Sequence, residues 1–417
     1  MSLPMWFSTL ARKGSAALVR NRHHLPRMVN RLIDDVANNP DGLISRLASA
    51  ALGGRNPALV PPATSIPGAE IRVYIGPTNY AGQGFQWARA LELNDARVGA
   101  RNMAVALPGG FAFAADTVVP IAVYNSSTAW QRAEFEAARR FSHVLFEAER
   151  PLFGRLYGRS VARETDALQA RGISCAFMCH GTDVRSPRTH ARRNKWSPFA
   201  EDNARTRLLQ ADVDANLALL SALGLPVFVS TPDLLIDVPS AHWCPVVVDG
   251  QRWAGGRQLF SKRKPVVCHI PSMNWMKGTQ LIEPVLRRLH ESGVIEYRSV
   301  TGIPASRMPA LIGDADIVLD QFRLGSYGVA ACEAMAAGRL VIGHIQPDVR
   351  RRVREHAGIG LPIIEADANS LEYVILGVIA SRQEAFEVAD AGRSFVNVVH
   401  SGGMSATALR DAWINRG

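Results

Sequence analysis

The stretch DQFRLGSYGVAACEAMAAG, Asp320–Gly338, combines residue types that could bind a charged ligand. A polar, glycine-rich loop leads directly into an alanine-rich helix that carries one acid, Glu333. Backbone amides at a helix start can bind phosphate oxygens, and a carboxylate about one and a half turns later can accept hydrogen bonds from two neighbouring hydroxyls. We therefore predict a diphosphate site in the loop and a ribose contact at Glu333. The predicted loop contacts are Gly325, Ser326, Tyr327, Gly328 and Val329.

Lys277 and Gly278 offer a second phosphate contact, because they precede the amphipathic segment TQLIEPVLRRLHESG. Lysine carries a mobile point charge suited to a diphosphate, and a helix start would add backbone amide donors. A Lys-Gly pair is common by itself. It indicates a phosphate site only together with the stretch that carries Glu333, roughly 55 residues later.

Polar residues that could contact a sugar or an acceptor follow two other apolar runs. His180, Asp183 and Arg185 stand in CHGTDVR after a strand-like run, and Asp320 and Gln321 follow DIVL. A histidine there can hydrogen-bond a sugar hydroxyl or carry a proton, and Asp183 could orient Arg185. The alternative is a turn capped by Asp183, beside a histidine whose hydrogen bonds are already satisfied.

Gly82 and Gly84 lie in the stretch GPTNYAGQGFQWARAL, between a strand-like run and a helix-like segment. Glycines there allow backbone amides to approach a negatively charged donor substrate closely. The pattern lacks the third glycine and the later acid of a dinucleotide-binding fingerprint. A tight turn without a ligand is the alternative interpretation.

Short apolar runs alternate with amphipathic segments between residues 70 and 400. Runs such as IRVYIG and KPVVCHI are typical of strands, and IAVYN at 121–125 is also predicted as a strand. The alternation predicts an α/β protein with parallel sheets covered by helices. All candidate residues follow predicted strands, and ligands of such folds bind at the carboxyl ends of the strands.

Two sets of this alternation predict two Rossmann-like domains that face a central cleft, at residues 70–240 and 250–400. Residues 1–60 are predicted as a helical N-terminal extension. Arginines on the polar faces of its helices could favour an anionic membrane surface. The alternative is that the extension packs on the rest of the protein or on another subunit.

The bulk composition excludes several classes of protein. The 417 residues carry a formal net charge of +10, but no nucleic-acid-binding motif accompanies the basic clusters. We expect phosphate-bearing substrates or an anionic membrane as partners, and no nucleic acid. Five scattered cysteines, no signal peptide and no apolar run of about 18 residues predict a cytoplasmic protein, at or near the inner face of the membrane. The oligomeric state is not predicted.

Lys277-Gly278 and the later YGVAACEAMAAGRLVI resemble the retaining glycosyltransferases of the GT-B fold, specifically glycosyltransferase family four. That family typically shows E-G-F-G-x-x-x-x-E-A-M-A-x-G-x-P-V-I. The resemblance covers about residues 70–400 and includes HGTDVR and STPDLLIDVPSAHWCPVVVD, which are similar to the region between the domains. The matching residues are Tyr327, Gly328, Glu333, Ala334, Met335, Ala336 and Gly338.

The resemblance implies a hexosyltransferase-like enzyme that moves a sugar from a nucleoside-diphosphate sugar to a glycan or lipid-linked acceptor. It implies retention, and work in the synthesis of cell-surface polysaccharides or glycoconjugates. Lys277 would bind the diphosphate, Glu333 the ribose, and His180 would lie near the transferred sugar. The helix near 401–417 would cross back to the N-terminal domain. We expect no metal and no cofactor beyond the donor substrate.

Two positions depart from the family pattern. Gly325 stands where the family has its first glutamate, and Pro271 stands where an arginine is usual. Arg323 or the basic cluster SKRK at 261–264 is a candidate replacement. The departures also leave open a non-catalytic GT-B scaffold or partner protein, which would bind no nucleoside diphosphate. An epimerase or phosphorylase of the same fold is a third interpretation, although the sequence shows no further phosphate site.

Overall fold

The structure is a computed structural model that describes residues 60–108, 112–271 and 273–416. The helices predicted within residues 1–60 therefore lie outside the described residues. The described chain divides into two compact units, the first ending at Ala176 and the second beginning at Phe177. The domain bounds predicted from the sequence rest on strand alternation, and they stay a prediction.

The first unit is built on four parallel strands. They are β1 (Ile71–Gly76), β2 (Val98–Ala106), β3 (Thr117–Pro120) and β4 (His143–Glu147), and they lie in the order β3-β2-β1-β4. The helices are α1 (Gln83–Asn94), α2 (Ile121–Ser126), α3 (Thr128–Ala138) and α4 (Val161–Gln169). Every residue of β4 is buried, which is typical of a parallel strand covered on both faces.

The run IAVYN at 121–125 forms α2 rather than the predicted strand, so that prediction is wrong. The strand in this region is β3, just before it, which pairs with β2. Pro120 ends β3, since it has no amide hydrogen to donate to the ladder. The residues after it, including Val123 and Tyr124, are buried on most sides of this short helix.

The second unit contains two groups of parallel strands. The first group consists of β5 (Ser174–Cys179), β6 (Val227–Val229) and β7 (His242–Trp243). The boundary between the units falls inside β5, and the residues of β5 from Phe177 onward pair with β6, which pairs with β7. The helices α5 (Pro187–Arg193) and α6 (Ala204–Leu223) lie between β5 and β6 in the chain.

The second group is a five-stranded parallel sheet in the order β12-β11-β10-β8-β9. Its strands are β8 (Val266–His269), β9 (Glu296–Ser299), β10 (Ile317–Leu319), β11 (Leu340–Gly343) and β12 (Ile364–Glu365). Among the three central strands, His269 of β8 pairs with Leu319 of β10, and Leu319 pairs with Ile342 of β11. The carboxyl ends of β8, β10 and β11 therefore meet at one edge of the sheet.

The helices around this sheet are α7 (Gly250–Trp253), α8 (Asn274–Lys277), α9 (Thr279–Glu291), α10 (Met308–Gly313), α11 (Val329–Ala336), α12 (Pro347–Ala357), α13 (Leu371–Ala380), α14 (Arg382–Phe395) and α15 (Gly403–Ala412). The amphipathic pattern of α9 has its expected effect, because Ile282, Leu286 and Leu289 are buried in the core against the sheet. Helix α15 packs on β7, and Ser405 Oγ donates a hydrogen bond to the carbonyl of Pro245 at 2.7 Å.

The predicted α/β class with two parallel sheets is confirmed. Lys277 and the stretch from Asp320 to Gly328 follow β8 and β10, so they lie at the carboxyl edge of the five-stranded sheet. The basic cluster at 261–264 precedes β8 and lies at the opposite, amino edge. Within the three described stretches of the chain, no helix combines the length and apolar character needed to cross a membrane.

Candidate functional site

Lys277 is the last residue of α8, and Gly278 separates that helix from α9, as the sequence predicted. Gly278 has a φ of 81°, and a Cβ at this position would lie 2.9 Å from Arg323 Cγ. Both the left-handed backbone and the close approach require glycine. The sharp turn places the Lys277 side chain beside the start of α9 at the carboxyl edge.

Lys277 and Asp320 form an ion pair across this edge, with 2.8 Å between Nζ and Oδ1. Asp320 is only 2% exposed, while the lysine side chain is 15% exposed. An ammonium group has three N–H donors, so two remain for an anionic ligand after Asp320 has taken one. The ion pair holds the long lysine chain in one place, which sequence reasoning did not predict.

The start of α11 offers free backbone donors next to this pair. Ala331 and Cys332 donate their amides to the carbonyl of Gly328 at 3.1 and 3.2 Å. In the described chain, the amides of Val329 and Ala330 have no hydrogen-bond acceptor, as expected for the first turn of a helix. Amides in this position carry the positive end of the helix dipole and favour a phosphate.

Glu333 lies one turn further along α11 and is half-buried. Burial raises the pKa of Glu333 to about 7, although the charges of Arg252 and Lys277 oppose the rise. Arg252 comes from α7, which packs against α11. Arg252 was not predicted from the sequence, because it lies in a four-residue helix that belongs to no predicted motif. Lys277, Arg252 and the amide donors together make the surroundings of Glu333 suitable for an anion.

The side chains of the predicted loop contacts point into the protein. Ser326 is 1% exposed, and its Oγ donates a 2.6 Å hydrogen bond to Asp233. Tyr327 is buried against Phe395 and His400, with 3.3 Å between its hydroxyl and His400 Nε2. These side chains therefore hold the loop in place, and a ligand on this loop would meet its backbone.

Gly325 has a φ of 69°, and a Cβ at this position would lie 2.5 Å from Gln346 Cγ. The carbonyl of Gly325 also accepts a 2.8 Å hydrogen bond from the Gln346 amide. The loop is thus shaped for glycine, and a glutamate side chain at this position would collide with Gln346. Packing against Gln346 therefore accounts for a glycine at position 325, where the family pattern has a glutamate.

Around His180, Asp183 and Arg185, the structure shows the capped turn of the alternative interpretation. The main-chain amide of His180 donates to Asp183 Oδ2 at 2.7 Å, and the amide of Gly181 donates to Oδ1. Asp183 therefore caps the turn. Arg185 is oriented by Asp233 instead, to which it donates two hydrogen bonds at 2.7 and 3.0 Å. The roles predicted for these residues toward a sugar stay a prediction.

Asp233 links Arg185 to the candidate site, because its other oxygen accepts the hydrogen bond from Ser326. Burial alone would raise the pKa of Asp233, but Arg185 and Ser326 hold that pKa below its ordinary value. Asp233 stands in the stretch STPDLLID, where the sequence pattern does not indicate a site residue. Its role depends on partners 48 and 93 residues away, which no local pattern indicates.

Residues of α5 and its end hold the loop from the other side. His190 Nε2 lies 3.0 Å from the carbonyl of Leu324, and the side chain of Asn194 donates to the carbonyl of Arg323 at 2.7 Å. Burial lowers the pKa of His190 to about 4. A neutral ring that donates from Nε2 must accept at Nδ1, where Ser197 Oγ lies at 2.7 Å.

Arg323 and Lys262, one from each candidate replacement for the missing arginine, have partners within the protein. Arg323 donates to the carbonyls of Trp196 and Trp275, at 3.3 and 3.2 Å, and so ties two aromatic segments together. In the cluster at 261–264, Lys262 pairs with Asp314 at 2.7 Å, at the amino edge. Besides Lys277, the structure places Arg252 near Glu333.

Gly82 and Gly84 belong to the first unit. A Cβ on Gly84 would collide with Asn102 and Glu147, so close packing explains this glycine. Glu147 accepts hydrogen bonds from the amides of Thr78 and Asn79, at 3.2 and 2.9 Å. Two amides of this loop therefore have an internal acceptor, and the prediction that the loop binds the donor stays untested.

The structure brings Lys277, Gly278, Asp320, Gln321, Gly328, Val329 and Glu333 to one edge of one sheet.

No protein-family model matches the chain, and no curated protein sequence matches it. Solved structures do. The Anabaena protein Alr3699/HepE, solved in complex with UDP-glucose, is 11% identical, with a TM-score of 0.51 over 81% of this chain and 98% of that one.

Sucrose-phosphate synthase from Thermosynechococcus elongatus is 12% identical, with a TM-score of 0.51 over 80% of this chain and 96% of that one. Likeness at this level of identity shows the fold alone. The chain has the GT-B fold found in these glycosyltransferases, so the fold predicted from the sequence is confirmed. Membership of glycosyltransferase family four stays a prediction.

Proposed function

We propose that the protein is a glycosyltransferase that takes a sugar from a nucleoside-diphosphate sugar. The observation that carries the proposal is the convergence, at one carboxyl edge, of the Lys277 ammonium, the free amides of Val329 and Ala330, and the half-buried Glu333. These groups match the diphosphate and the ribose of such a donor. The GT-B fold, which the chain shares with a protein solved in complex with UDP-glucose, supports the same assignment.

The proposed chemistry is stabilisation of a leaving group. When the bond from the sugar to the diphosphate breaks, negative charge accumulates on the diphosphate. Lys277 would neutralise that charge with its two remaining donors, and the amides of α11 would add fixed dipoles. Asp320 would keep Lys277 in place. Glu333, when ionised, would accept hydrogen bonds from the ribose hydroxyls.

Ligand binding gives the direct test. We expect one or more of UDP, GDP, ADP and dTDP to raise the thermal unfolding temperature of the full-length protein. A ligand at 100 times its dissociation constant should stabilise the fold by about 2.7 kcal/mol. Release of the nucleoside diphosphate from the matching sugar nucleotide should follow. An absence of binding by all four would reject the proposal and favour a non-catalytic scaffold.

We further propose that transfer is retaining and needs no metal ion, and that the acceptor is a glycan or lipid-linked glycan of the cell surface. The sequence resemblance supports retention, and the cationic donors at the edge could take the part that a metal has elsewhere. Turnover should persist in excess EDTA, and the anomeric configuration of the product should match that of the donor by NMR. Loss of turnover in EDTA that Mg²⁺ restores would contradict metal independence.

A further inference from the structure

Two buried acceptor oxygens stand without a partner beside the candidate site. Asp320 gives one carboxylate oxygen to Lys277, but its Oδ2 has no hydrogen-bond donor among the described residues, and the same is true of Gln321 Oε1. The two residues are 2% and 7% exposed. Buried polar atoms in native proteins are almost always paired, because an unpaired atom retains its full desolvation cost.

Both residues lie on the side of the sheet edge where the phosphate donors converge. The Asp320 carboxylate lies 2.8 Å from Lys277 Nζ. Burial and then the charge of Asp320 raise the pKa of Cys332 in α11, so the Asp320 carboxylate also lies near that helix. A Cβ on Gly328 would lie 3.8 Å from the side-chain nitrogen of Gln321, so the Gln321 amide faces the start of α11.

The two oxygens define the chemistry of the group that would pair with them. A carboxylate and an amide oxygen only accept hydrogen bonds, so that group must bring donors. A phosphate at neutral pH brings acceptor oxygens, and it is already matched by Lys277 and the helix amides. A sugar next to the diphosphate brings several hydroxyl groups.

We infer that Asp320 and Gln321 recognise the transferred sugar, and that this sugar has at least two free hydroxyl groups. The inference rests on the proposed function and deepens it, since it assigns the sugar subsite to two successive residues after β10. Gly325 leaves no acidic side chain in its part of the loop, and the two acceptors after β10 supply that chemistry from another position.

The test separates sugar recognition from nucleotide recognition. Calorimetry would give dissociation constants for three pairs of ligands: UDP and UDP-glucose, GDP and GDP-mannose, and ADP and ADP-glucose. The sugar increment is the ratio of the two constants within a pair. The variants are Gln321→Met, which removes the acceptor at nearly constant volume, and Asp320→Asn. Gln258→Met, with an exposed side chain before β8 at the amino edge, is the matched control.

We expect Gln321→Met to lower the sugar increment by about threefold to tenfold while the nucleoside diphosphate binds as before. Asp320→Asn should lower the increment by about tenfold or more, and it should also weaken the nucleoside diphosphate, because Lys277 loses its ion pair. Gln258→Met should change neither constant. Since Gln321 makes no side-chain hydrogen bond within the described chain, its variant should fold even if the Asp320 variant does not.

Other outcomes would overturn the inference. An unchanged increment in Gln321→Met would mean that water alone satisfies these oxygens, and the proposed function would still stand because the diphosphate binds. If Gln321→Met weakened the binding of a nucleoside diphosphate and of its sugar nucleotide by the same factor, Gln321 would contact the nucleotide and not the sugar. If the wild type binds none of the six ligands, the inference falls together with the proposed function.

Discussion

Lys277 meets two demands that usually conflict. To bind a diphosphate as proposed, it must keep its charge close to the ligand, and its flexible chain must be held in one geometry. The ion pair with Asp320 meets the second demand, because Asp320 is almost fully buried at the end of β10. The first demand is met because only one of three ammonium donors is used. The pair therefore orients the lysine and leaves it able to bind an anion.

Removal of the Lys277 charge should be the most damaging single change for catalysis. We expect Lys277→Ala to lower the kcat for a sugar nucleotide by about 100-fold or more, because charged stabilisation of the leaving group is lost. Circular dichroism would confirm that the variant is folded at the assay temperature. Lys264→Ala, just before β8 at the amino edge, is the control, and its kcat should equal that of the wild type. A near-normal kcat in Lys277→Ala would reject the role.

Glu333 should make nucleotide affinity depend on pH. Its pKa of about 7 means that the carboxylate is protonated below neutral pH and accepts ribose hydrogen bonds fully only above it. We expect the affinity for a nucleoside diphosphate to rise with pH through about 7, by roughly tenfold in all. Glu333→Gln should lose this dependence. Titration of the ligand phosphate affects both proteins equally, so it cancels in the ratio of wild-type to variant affinity. A flat ratio between pH 6 and 8 would contradict the ribose contact.

The same raised pKa affects the stability of the unliganded protein. Folding disfavours the ionised form of a carboxylate whose pKa is higher in the folded state than in the unfolded state. The resulting loss of folding stability grows as pH rises, and it is complete above about pH 7. We expect Glu333→Gln to unfold at a higher temperature than the wild type at pH 8, and at the same temperature at pH 4. A difference of the opposite sign at pH 8 would contradict the burial of the ionised group.

At the scale of elements, the loop between β10 and α11 is fixed by residues far away in the chain. His190, Asn194 and Asp233 hold three successive parts of it, and Gln346 packs on Gly325. These contacts set the direction of the α11 amides before any ligand arrives. Such preorganisation is what charge stabilisation in a transition state requires.

The packing on Gly325 predicts how the loop responds to substitution. Gly325→Ala should lower the free energy of unfolding by about 1 to 3 kcal/mol, because it combines backbone strain with a collision. Gly358→Ala is the matched control: it has a φ of 71°, but a Cβ there would meet nothing within 4 Å, so it should lose only the strain. Urea unfolding at one pH would measure both variants.

A second substitution separates the collision from the strain. Gln346→Ala removes the Cγ that a Cβ at position 325 would meet, so the double variant should recover part of the loss. Non-additivity in this double-mutant cycle would confirm direct contact. Gly325→Glu introduces the residue of the family pattern. It should lower the free energy of unfolding more than Gly325→Ala does, and it should not raise turnover. Additive losses would contradict the packing on Gln346.

At the scale of the whole molecule, the net charge of +10 gives the chain a preference for negatively charged surroundings. The proposed phosphorylated donor would use part of this charge locally, at Lys277 and Arg252. The basic residues within 1–60 lie outside the described residues, and we propose that they contact an anionic membrane surface, which would place the enzyme near lipid-linked acceptors at the inner face of the membrane.

Liposome flotation tests the membrane contact. Full-length protein should float with vesicles that contain anionic lipid, and a form without residues 1–59 should remain in the lower fraction. Raising the salt concentration should release the full-length protein, because exposed charges are screened. Vesicles of neutral lipid are the control for both forms. Identical flotation of the two forms would remove the idea.

The alternation of apolar and amphipathic segments determined the α/β class, and it predicted the starts of α9 and α11, because period and glycine position are local properties. It failed for α2, where an apolar run of five residues fits a strand and a buried helix equally well. The positions of Lys277 and Glu333 in the segments that follow β8 and β10 were readable for the same local reason.

Only the tertiary structure decided which side chains meet. Lys277 and Asp320 are 43 residues apart, Arg185 and Asp233 are 48 apart, and Arg252 and Glu333 lie on different helices. It also showed that Ser326 and Tyr327 point inward and that Gly325 is required by Gln346. The physical reason is that ion pairs and collisions depend on distances across the fold, whereas a sequence specifies directly only the neighbours along the chain.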